Sequence, residues 1–482
     1  MIDLEVHVDG RKRAIGRAKE RGIVIPTFSQ MRDPSLVPEN IRERLSGTGL
    51  WDTDPGNLFR ITWKNEPVTS GGGFGGVNYI ELPGSLTGVR ARIIALAGRW
   101  FPTGSHKVGA TFGCLVPRLV TGQFDPTSQK AVWPSTGNFC RGGAYNSTLL
   151  ACESIALLPE GMSRERFDWL AGHASEVIKT PGSESNVKEI FDKCRELKAS
   201  GREAVIFNQF EEFGNYIWHY EVTGRAMEEV LERELAPDEK FRGIAVTSGS
   251  AGTLACGDYL KGLFPAMKIA AGEALQCPTM MENGFGSHRI EGIGDKHVPW
   301  IHNVKNTDMV VAVDDEAVVS LARLFNEEEG RRLLAARDVP EEVIGNLDLL
   351  GFSSIANLII AIKFVRYYEL GEGDLVLTVF TDSMDLYGSR LQEMAGERGE
   401  YSQLEASADH ARYLQGVTTD HTEELRHTDR RRIHNLKYYT WIEQQGKTAD
   451  ELTAQWSDRG YWTDIQEKVD EIDALIEEFN RG

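Results

Sequence analysis

Three short segments of small and polar residues carry the side chains best suited to chemistry. The first is residues 247–253, with the sequence TSGSAGT, which follow an apolar strand-like run and precede a helical run. Backbone N–H groups of such small residues can converge on an anion, and the N-terminus of the following helix adds partial positive charge. The segment lacks the Gly-Lys-Ser/Thr ending of a P-loop and is not a G-x-G-x-x-G fingerprint. It indicates either a phosphate site or an ordinary tight turn.

The second and third segments offer a carboxylate site and a reactive amine. Residues 134–138 (PSTGN) combine hydroxyls, an amide and exposed backbone donors that suit a carboxylate, although a capped turn would look the same. Residues 102–109 (PTGSHKVG) place Lys107 among small residues. A lysine is usually solvated, but a desolvated one can lose its proton and form a Schiff base with a carbonyl. Together the three segments suggest a cofactor that carries an aldehyde and a phosphate, which is pyridoxal phosphate.

The order of the motifs resembles the fold-type II pyridoxal-phosphate enzymes. Within that family it is closest to the branch of cysteine synthase (O-acetylserine sulfhydrylase) and cystathionine β-synthase. The resemblance runs from about residue 58 to residue 390. Besides the three segments above, it rests on residues 158–163 (LPEGMS), 208–210 (NQF), 223–224 (TG), 291–294 (EGIG) and 351–354 (GFSS).

The resemblance implies a role for each matching residue. Lys107 would form the Schiff base and then transfer protons, Asn138 would hydrogen-bond the cofactor's 3′-oxygen, and Ser353 its ring nitrogen. Gly292 would lie beside the cofactor. The phosphate would be held by Gly249, Ser250, Ala251, Gly252 and Thr253, and the substrate carboxylate by Ser135, Thr136, Gly137 and Gln209.

The resemblance also implies a reaction. It is a β-replacement on a β-substituted L-amino acid (serine, O-acetylserine or similar) through an aminoacrylate intermediate, as in cysteine synthase. Ser353, unlike an aspartate, cannot keep the ring nitrogen protonated by charge, which disfavours transamination. One alternative is a β-elimination lyase, either a cysteine desulfhydrase or a serine/threonine dehydratase, that releases pyruvate or another 2-oxo acid and ammonia. The other is a non-catalytic binding protein of the same fold, against which the intact Lys107, Asn138 and Ser353 argue.

Three departures from the family pattern fall in these motifs. Phe139 stands where the sulfhydrylases carry a threonine, so we expect an altered amino-acid pocket. Ala251 replaces a glycine of the phosphate loop, and its methyl is tolerable if the residue has negative φ. After Lys107 comes Val-Gly, where cysteine synthases have Asp-Arg.

Alternating strand-like and helical runs must position these residues. Residues 204–207, 243–247, 309–313 and 375–380 are apolar strand candidates, and helix formers predominate at 163–170 and 221–235. This alternation predicts an α/β fold with mostly parallel sheets covered by helices. Ligands bind such sheets outside the carboxyl ends of the strands. The resemblance makes this a two-lobed fold like that of the tryptophan synthase β subunit.

The C-terminal part of the chain has a different character. All 17 prolines lie at or before Pro340. Thr448 and Thr463 each begin a pattern that fits a capping box, and a helical apolar stripe follows the second. We expect this stripe to fold back onto the core. The chain then divides into an N-terminal extension (1–57), a catalytic core (58–390, with a smaller mobile lobe at about 110–205) and a helical extension (391–482).

Composition limits the remaining possibilities. The 53 Lys and Arg against 72 Asp and Glu give a net charge of −19, which argues against broad nucleic-acid or anionic-membrane binding. The N-terminus lacks the apolar core of a signal peptide, and no apolar stretch is long enough to span a bilayer. Six scattered cysteines predict reduced thiols. We therefore expect a cytoplasmic enzyme with a small amino-acid substrate and, by resemblance, a homodimer.

The histidines near the C-terminus do not predict a metal site. His410, His421, His427 and His434 are spaced by 11, 6 and 7 residues, so no pair shares one turn of a helix. The arginines at 430–432 form a short basic run inside an acidic chain, which predicts a solvated or salt-bridged surface.

Overall fold

The computed structural model describes residues 2–135, 137–182, 187–294 and 296–482. Its strands form one sheet of seven strands and one of four. They are β1 (Tyr79–Leu82), β2 (Arg92–Ala97), β3 (Lys130–Pro134), β4 (Ser154–Pro159), β5 (Glu176–Thr180), β6 (Ala204–Ile206), β7 (Lys240–Thr247), β8 (Lys268–Ala274), β9 (Met309–Val313), β10 (Asp374–Phe380) and β11 (Thr422–Glu424).

Both sheets are mainly parallel. The large sheet has the order β1-β2-β10-β7-β8-β9-β11, and only its two edge pairs, β1–β2 and β11–β9, are antiparallel. The small sheet, β5-β4-β3-β6, is parallel throughout. Strands β4 and β9 are buried along their whole length, as expected when helices cover both faces. The predicted fold class is confirmed, and β6, β7, β9 and β10 coincide with the four strand candidates.

Helices cover both sheets and make up both ends of the chain. Those before β7 are α1 (Val8–Arg21), α2 (Phe28–Arg32), α3 (Glu39–Leu45), α4 (Gly84–Thr87), α5 (Lys107–Thr121), α6 (Asn138–Leu149), α7 (Arg164–Ala171), α8 (Val187–Ala199), α9 (Phe213–Trp218) and α10 (Gly224–Glu234). Those after it are α11 (Ala255–Leu263), α12 (Thr279–Glu282), α13 (Asp315–Asn326), α14 (Glu328–Ala335), α15 (Glu341–Gly345), α16 (Phe352–Tyr367), α17 (Gly388–Arg398), α18 (Gln403–His410), α19 (His427–Lys437), α20 (Ala449–Ser457), α21 (Tyr461–Gln466) and α22 (Lys468–Arg481).

The C-terminal residues are built into the core. The apolar stripe on α22, with Ile472 and Ile476 fully buried, packs against α5 and α2. Asp473 of the same helix accepts hydrogen bonds from the backbone N–H groups of Phe28 and Ser29 at 2.6 and 3.1 Å. Strand β11 from this region extends the large sheet at its edge. The expected fold-back is present, and it includes a strand as well as helices.

One of the two predicted helix starts in this region is wrong. Thr448 caps α20 by accepting a hydrogen bond from the Glu451 N–H. Thr463, however, lies inside α21, which already begins at Tyr461. Tyr461 and Trp462 are buried against the aromatic ring of Phe213. Because of this packing, the helix begins before the residue that the capping signal marks.

Two further findings bear on the environment of the chain. Among the described residues, every helix is too short or too polar to cross a lipid bilayer. All six cysteines are buried.

Candidate active site

One pocket brings the predicted site residues together between the two sheets. Lys107, Ser135, Asn138, Gln209, Gly249, Ser250, Ala251, Thr253, Gly292 and Ser353 all line it. Gly137 and Gly252 belong to the same two loops, and Thr136 lies outside the described residues. These two loops follow β3 and β7 at the carboxyl ends of parallel strands, where ligands bind in folds of this kind.

Lys107 connects the loops of the pocket. It is the first residue of α5, and its Nζ lies 2.9 Å from Ser250 Oγ and 3.4 Å from Gln209 Oε1. The amine is therefore held between the loop after β7 and the segment after β6. It lies at the wall of the pocket that the other loops also line.

The loop of residues 249–253 consists of small residues, which leave room for a ligand. Its hydroxyl groups belong to Ser250 and Thr253, and the loop leads into α11, whose N-terminus favours an anion. Asn215 stabilises this loop, because its Nδ2 donates a hydrogen bond to Ser250 Oγ at 3.0 Å. A Cβ atom at Gly252 would lie only 2.1 Å from Asn215 Oδ1, so this position needs glycine.

Ala251 departs from the expected backbone conformation. Its φ is +63°, in the left-handed region, so the condition of negative φ under which its methyl is tolerated is not met. An L-residue there carries strain of about 1–2 kcal/mol. Local sequence could not reveal this, because the conformation is imposed by the turn between β7 and α11. Strained backbone of this kind often occurs at binding sites.

The loop before α6 surrounds a second polar subsite. Ser135 Oγ accepts hydrogen bonds from the Gly137 N–H at 3.2 Å and from Gln209 Nε2 at 3.3 Å. Gly137 lies directly over the buried Arg166, and a Cβ atom at position 137 would be 2.4 Å from the guanidinium carbon. Position 137 thus requires glycine, because the Arg166 guanidinium lies so close to its backbone. The positive charge of Arg166 lies next to the loop that is predicted to bind a carboxylate.

Asn138 and Ser353 both line the pocket and bond neighbouring residues after β10. Asn138 begins α6, and its Nδ2 donates to Asp382 Oδ2 at 2.5 Å. Ser353, in the first turn of α16, hydrogen-bonds the hydroxyl of Thr381. Gly292 lies beside Ser353, since a Cβ atom there would be 3.6 Å from Ser353 Oγ.

A pair of buried imidazoles lies behind Lys107. The rings of His106 and His219 are 4.9 Å apart, and both side chains are fully buried. Burial lowers the pKa of His106 well below its ordinary value, and the nearby Lys107 lowers it further. Burial likewise lowers the pKa of His219. Both rings are therefore neutral near pH 7 and place no competing positive charge beside the lysine.

Sequence reasoning missed several residues that support the site. Asp382, Thr381 and Asn215 form hydrogen bonds to the predicted residues, and Arg166 underlies the carboxylate loop. Thr381 and Asp382 directly follow β10, so the rule that strand ends carry ligand contacts could have identified them. Nothing local distinguishes Asn215 or Arg166, because their partners are distant in the chain.

The residues of the pocket fit pyridoxal phosphate. The loop at 249–253 offers small residues, hydroxyls and a helix N-terminus for a phosphate. Asn138 also lines the pocket, so its amide can contact a cofactor bound there. Lys107 supplies an amine at the same pocket.

Comparison with known proteins identifies the family. The model of the family described as pyridoxal-phosphate dependent enzyme matches residues 75–336, more than half of the chain. The chain belongs to this family. Pyridoxal phosphate is thus its cofactor, and the resemblance stated from the motifs is confirmed.

The relatives of this pyridoxal-phosphate enzyme belong to the branch that its motifs indicate. A cysteine synthase from Staphylococcus aureus is 29% identical over 264 residues, which cover 53% of this chain and 74% of that protein. A cystathionine β-synthase from Saccharomyces cerevisiae is 25% identical over 316 residues, or 64% of this chain and 59% of that protein. Among solved structures, the O-acetylserine-dependent cystathionine β-synthase from Helicobacter pylori matches with a TM-score of 0.54 and 25% identity, covering 64% and 94% of the two chains.

Proposed function

We propose that the enzyme catalyses a β-replacement on a β-substituted L-amino acid, with serine, O-acetylserine or a similar compound as substrate. The observation that carries this proposal is the position of Lys107, whose amine lies within 3.4 Å of both Ser250 and Gln209 in the pocket. The relatives named cysteine synthase and cystathionine β-synthase support the same reaction class.

Each loop has one task in this proposal. Ser250, Thr253 and the backbone of residues 249–253 bind the cofactor phosphate, with Gly292 alongside the ring. Asn138 contacts the 3′-oxygen, and Ser353 contacts the ring nitrogen. The substrate carboxylate is bound by residues 135–137 with the help of Gln209.

Lys107 is the catalytic residue of the proposal. When bound, the cofactor supplies an electron-accepting ring that stabilises negative charge at the substrate Cα. Lys107 Nζ then takes the proton from Cα, and the leaving group departs from Cβ. The added thiol or sulfide then forms a bond to Cβ, and the same amine returns the proton to Cα. Ser250, 2.9 Å from the amine, and Gln209 keep it within the pocket.

Ser353 makes this chemistry selective. Its hydroxyl bonds Thr381 and carries no charge, so it cannot hold a protonated ring nitrogen as an aspartate would. Negative charge at Cα is then less delocalised into the ring, and loss of a β leaving group is favoured over transamination.

The proposal is tested by product analysis. Purified enzyme with pyridoxal phosphate is incubated with serine, O-acetylserine, O-phosphoserine, threonine or cysteine, with and without sulfide. Formation of a β-substituted amino acid that requires the added thiol or sulfide supports replacement. Pyruvate and ammonia formed at a rate that sulfide does not change would instead indicate a β-elimination lyase.

Two lysine variants test the assignment of the reactive amine. Lys107→Ala is expected to abolish the visible absorption band of the bound cofactor and the activity. The matched control is Lys130→Ala, which removes a lysine that pairs with Glu153 away from the pocket. A band that survives unchanged in Lys107→Ala would show that another group holds the cofactor.

We also propose the wider context of the enzyme. It acts as a cytoplasmic homodimer, with an N-terminal extension (1–57), a catalytic core (58–390, including a mobile lobe at about 110–205) and a C-terminal extension (391–482). The resemblance to the family and the six buried cysteines support this proposal. Light scattering of the purified protein tests the dimer.

A further inference from the structure

A buried carboxylate joins the two sheets at the active site. Asp382 follows β10 of the large sheet and is fully buried. Its Oδ2 accepts hydrogen bonds from Asn138 Nδ2 at 2.5 Å and from the Tyr387 hydroxyl at 2.6 Å. Asn138 begins α6, which packs on the small sheet. The contact therefore connects the cofactor-facing asparagine to the opposite half of the site.

Asp382 is itself held firmly. Its backbone carbonyl accepts hydrogen bonds from the Gly351 N–H and from Ser354 Oγ, both at 3.1 Å, in the turn that also carries Ser353. A Cβ atom at Gly351 would lie 2.0 Å from Asp382 Oδ1, so the turn closes tightly over the carboxylate. The position of Asp382 is thus linked to that of another proposed cofactor contact.

A chain of buried polar groups continues behind Tyr387. Arg166 Nη2 donates to the Tyr387 hydroxyl at 3.1 Å, and the same guanidinium forms an ion pair with Glu291. Arg390 Nε donates to the other oxygen of Glu291 at 2.6 Å. These groups keep the Tyr387 hydroxyl directed at Asp382, so that Oδ2 stays an acceptor between two donors.

The acceptor at Oδ2 decides how the Asn138 amide is oriented. An amide side chain has one face with a carbonyl oxygen and one with two N–H groups. Because Oδ2 accepts, Nδ2 turns towards Asp382 and uses one of its N–H groups there. Its second N–H is left to donate to an oxygen in the pocket. If the amide were rotated by half a turn, Asn138 Oδ1 would face Asp382 Oδ2. The hydrogen bond to Asp382 and the contact to an oxygen in the pocket would both be lost.

We propose that Asp382 is a positioning residue that orients the Asn138 amide so that its remaining N–H binds the 3′-oxygen of pyridoxal phosphate. The inference rests on the proposed cofactor contact of Asn138. Asp382 does not touch the cofactor in this scheme, and its effect passes through Asn138.

The test measures cofactor binding rather than turnover. Apoprotein is titrated with pyridoxal phosphate, and the dissociation constant and the visible spectrum are recorded for Asp382→Ala. We expect at least tenfold weaker binding and a shifted visible band. Asp382→Asn can still present a carbonyl oxygen to Asn138, so it is expected to recover most of the affinity. The matched control Asp385→Ala, which removes an exposed carboxylate that pairs with Arg99, is expected to bind like the wild type.

A double-mutant cycle separates positioning from general damage. In an Asn138→Ala background, Asp382→Ala is expected to cause little further loss of affinity, because its effect requires the amide. An equal loss with and without Asn138 would overturn the inference, as would wild-type affinity and spectrum in Asp382→Ala. If that variant does not fold, Asp382→Ser, which is too short to reach Asn138, takes its place in the cycle.

The outcome is distinguishable from failure of the proposed function. If Lys107→Ala leaves the visible band of the wild type unchanged, the cofactor assignment itself fails. If Lys107→Ala removes the band but Asp382→Ala binds the cofactor normally, only the positioning role is refuted.

Discussion

Glu273 makes the stability of the fold depend on pH. It lies on β8 and is buried, and its two oxygens accept hydrogen bonds from the N–H groups of Met280 and Met281 at 2.8 and 2.9 Å. Burial raises the pKa of Glu273 from 4.5 to about 7, despite these hydrogen bonds and the opposing effect of Arg432. Glu423 adds to the rise. The carboxyl group of Glu273 thus binds the N-terminus of α12, and it is protonated at a higher pH than an ordinary glutamate.

The sign and size of the effect follow from this pKa. A group whose pKa is higher in the folded than in the unfolded protein stabilises the fold below its unfolded pKa, here 4.5. That contribution is lost as the pH rises through about 7. Each pKa unit corresponds to about 1.4 kcal/mol, so the loss is about 3 kcal/mol between pH 4.5 and pH 8.

The variant Glu273→Gln removes the titration while keeping the shape of the side chain. The free energy of unfolding in urea is measured for wild type and variant from pH 4.5 to pH 8.5. We expect the wild type to lose about 3 kcal/mol relative to the variant over this range. A constant offset from one weakened hydrogen bond does not affect the comparison. The control is Glu176→Gln, a strand glutamate in contact with solvent, whose profile is expected to follow the wild type. Parallel profiles for wild type and Glu273→Gln would refute the reasoning.

Four further predictions concern the site and the C-terminal region. Gly137→Ala collides with Arg166 and is expected to raise the KM for the amino acid at least tenfold, with an unchanged far-UV spectrum. Arg166→Met removes a buried partner of Glu291 and is expected to lower the free energy of unfolding in urea by about 3 kcal/mol, more than the same change at the partly exposed Arg390. Ala251→Gly relieves the strain of an alanine with left-handed backbone and is expected to raise the free energy of unfolding in urea by about 0.5 kcal/mol, after the entropy cost of glycine. Truncation after residue 400 uncovers the surface of α5 that α22 buries, so insoluble or dissociated protein is expected in light scattering; a well-behaved, fully active fragment would show that the extension is an independent appendage.

Strands β7, β9 and β10 were predicted correctly because each is an apolar run that is buried along most of its length, whereas the edge strand β6 is only partly buried. A short apolar run is typical of a strand in a parallel sheet whose two faces are covered by helices. The predicted helix start at Thr463 was wrong because a local signal was outweighed by tertiary packing. The capping signal is worth only about 1 kcal/mol, and the burial of Tyr461 and Trp462 outweighs it.

The order of the motifs along the chain was enough to predict which residues line the pocket. Strand ends and glycine-rich turns are local features, and Lys107 and the loop at 249–253 could be recognised from them, whereas Ser353 was predicted from the resemblance to the family. The residues that support them could be found only from the folded chain: Arg166 packs against Gly137, Asn215 hydrogen-bonds Ser250, and Asp382 hydrogen-bonds Asn138. These partners are distant in the chain, and their contacts depend on how two sheets meet. The positive φ of Ala251 belongs to the same group, because the turn that imposes it is set by the packing of β7 and α11 rather than by the residue.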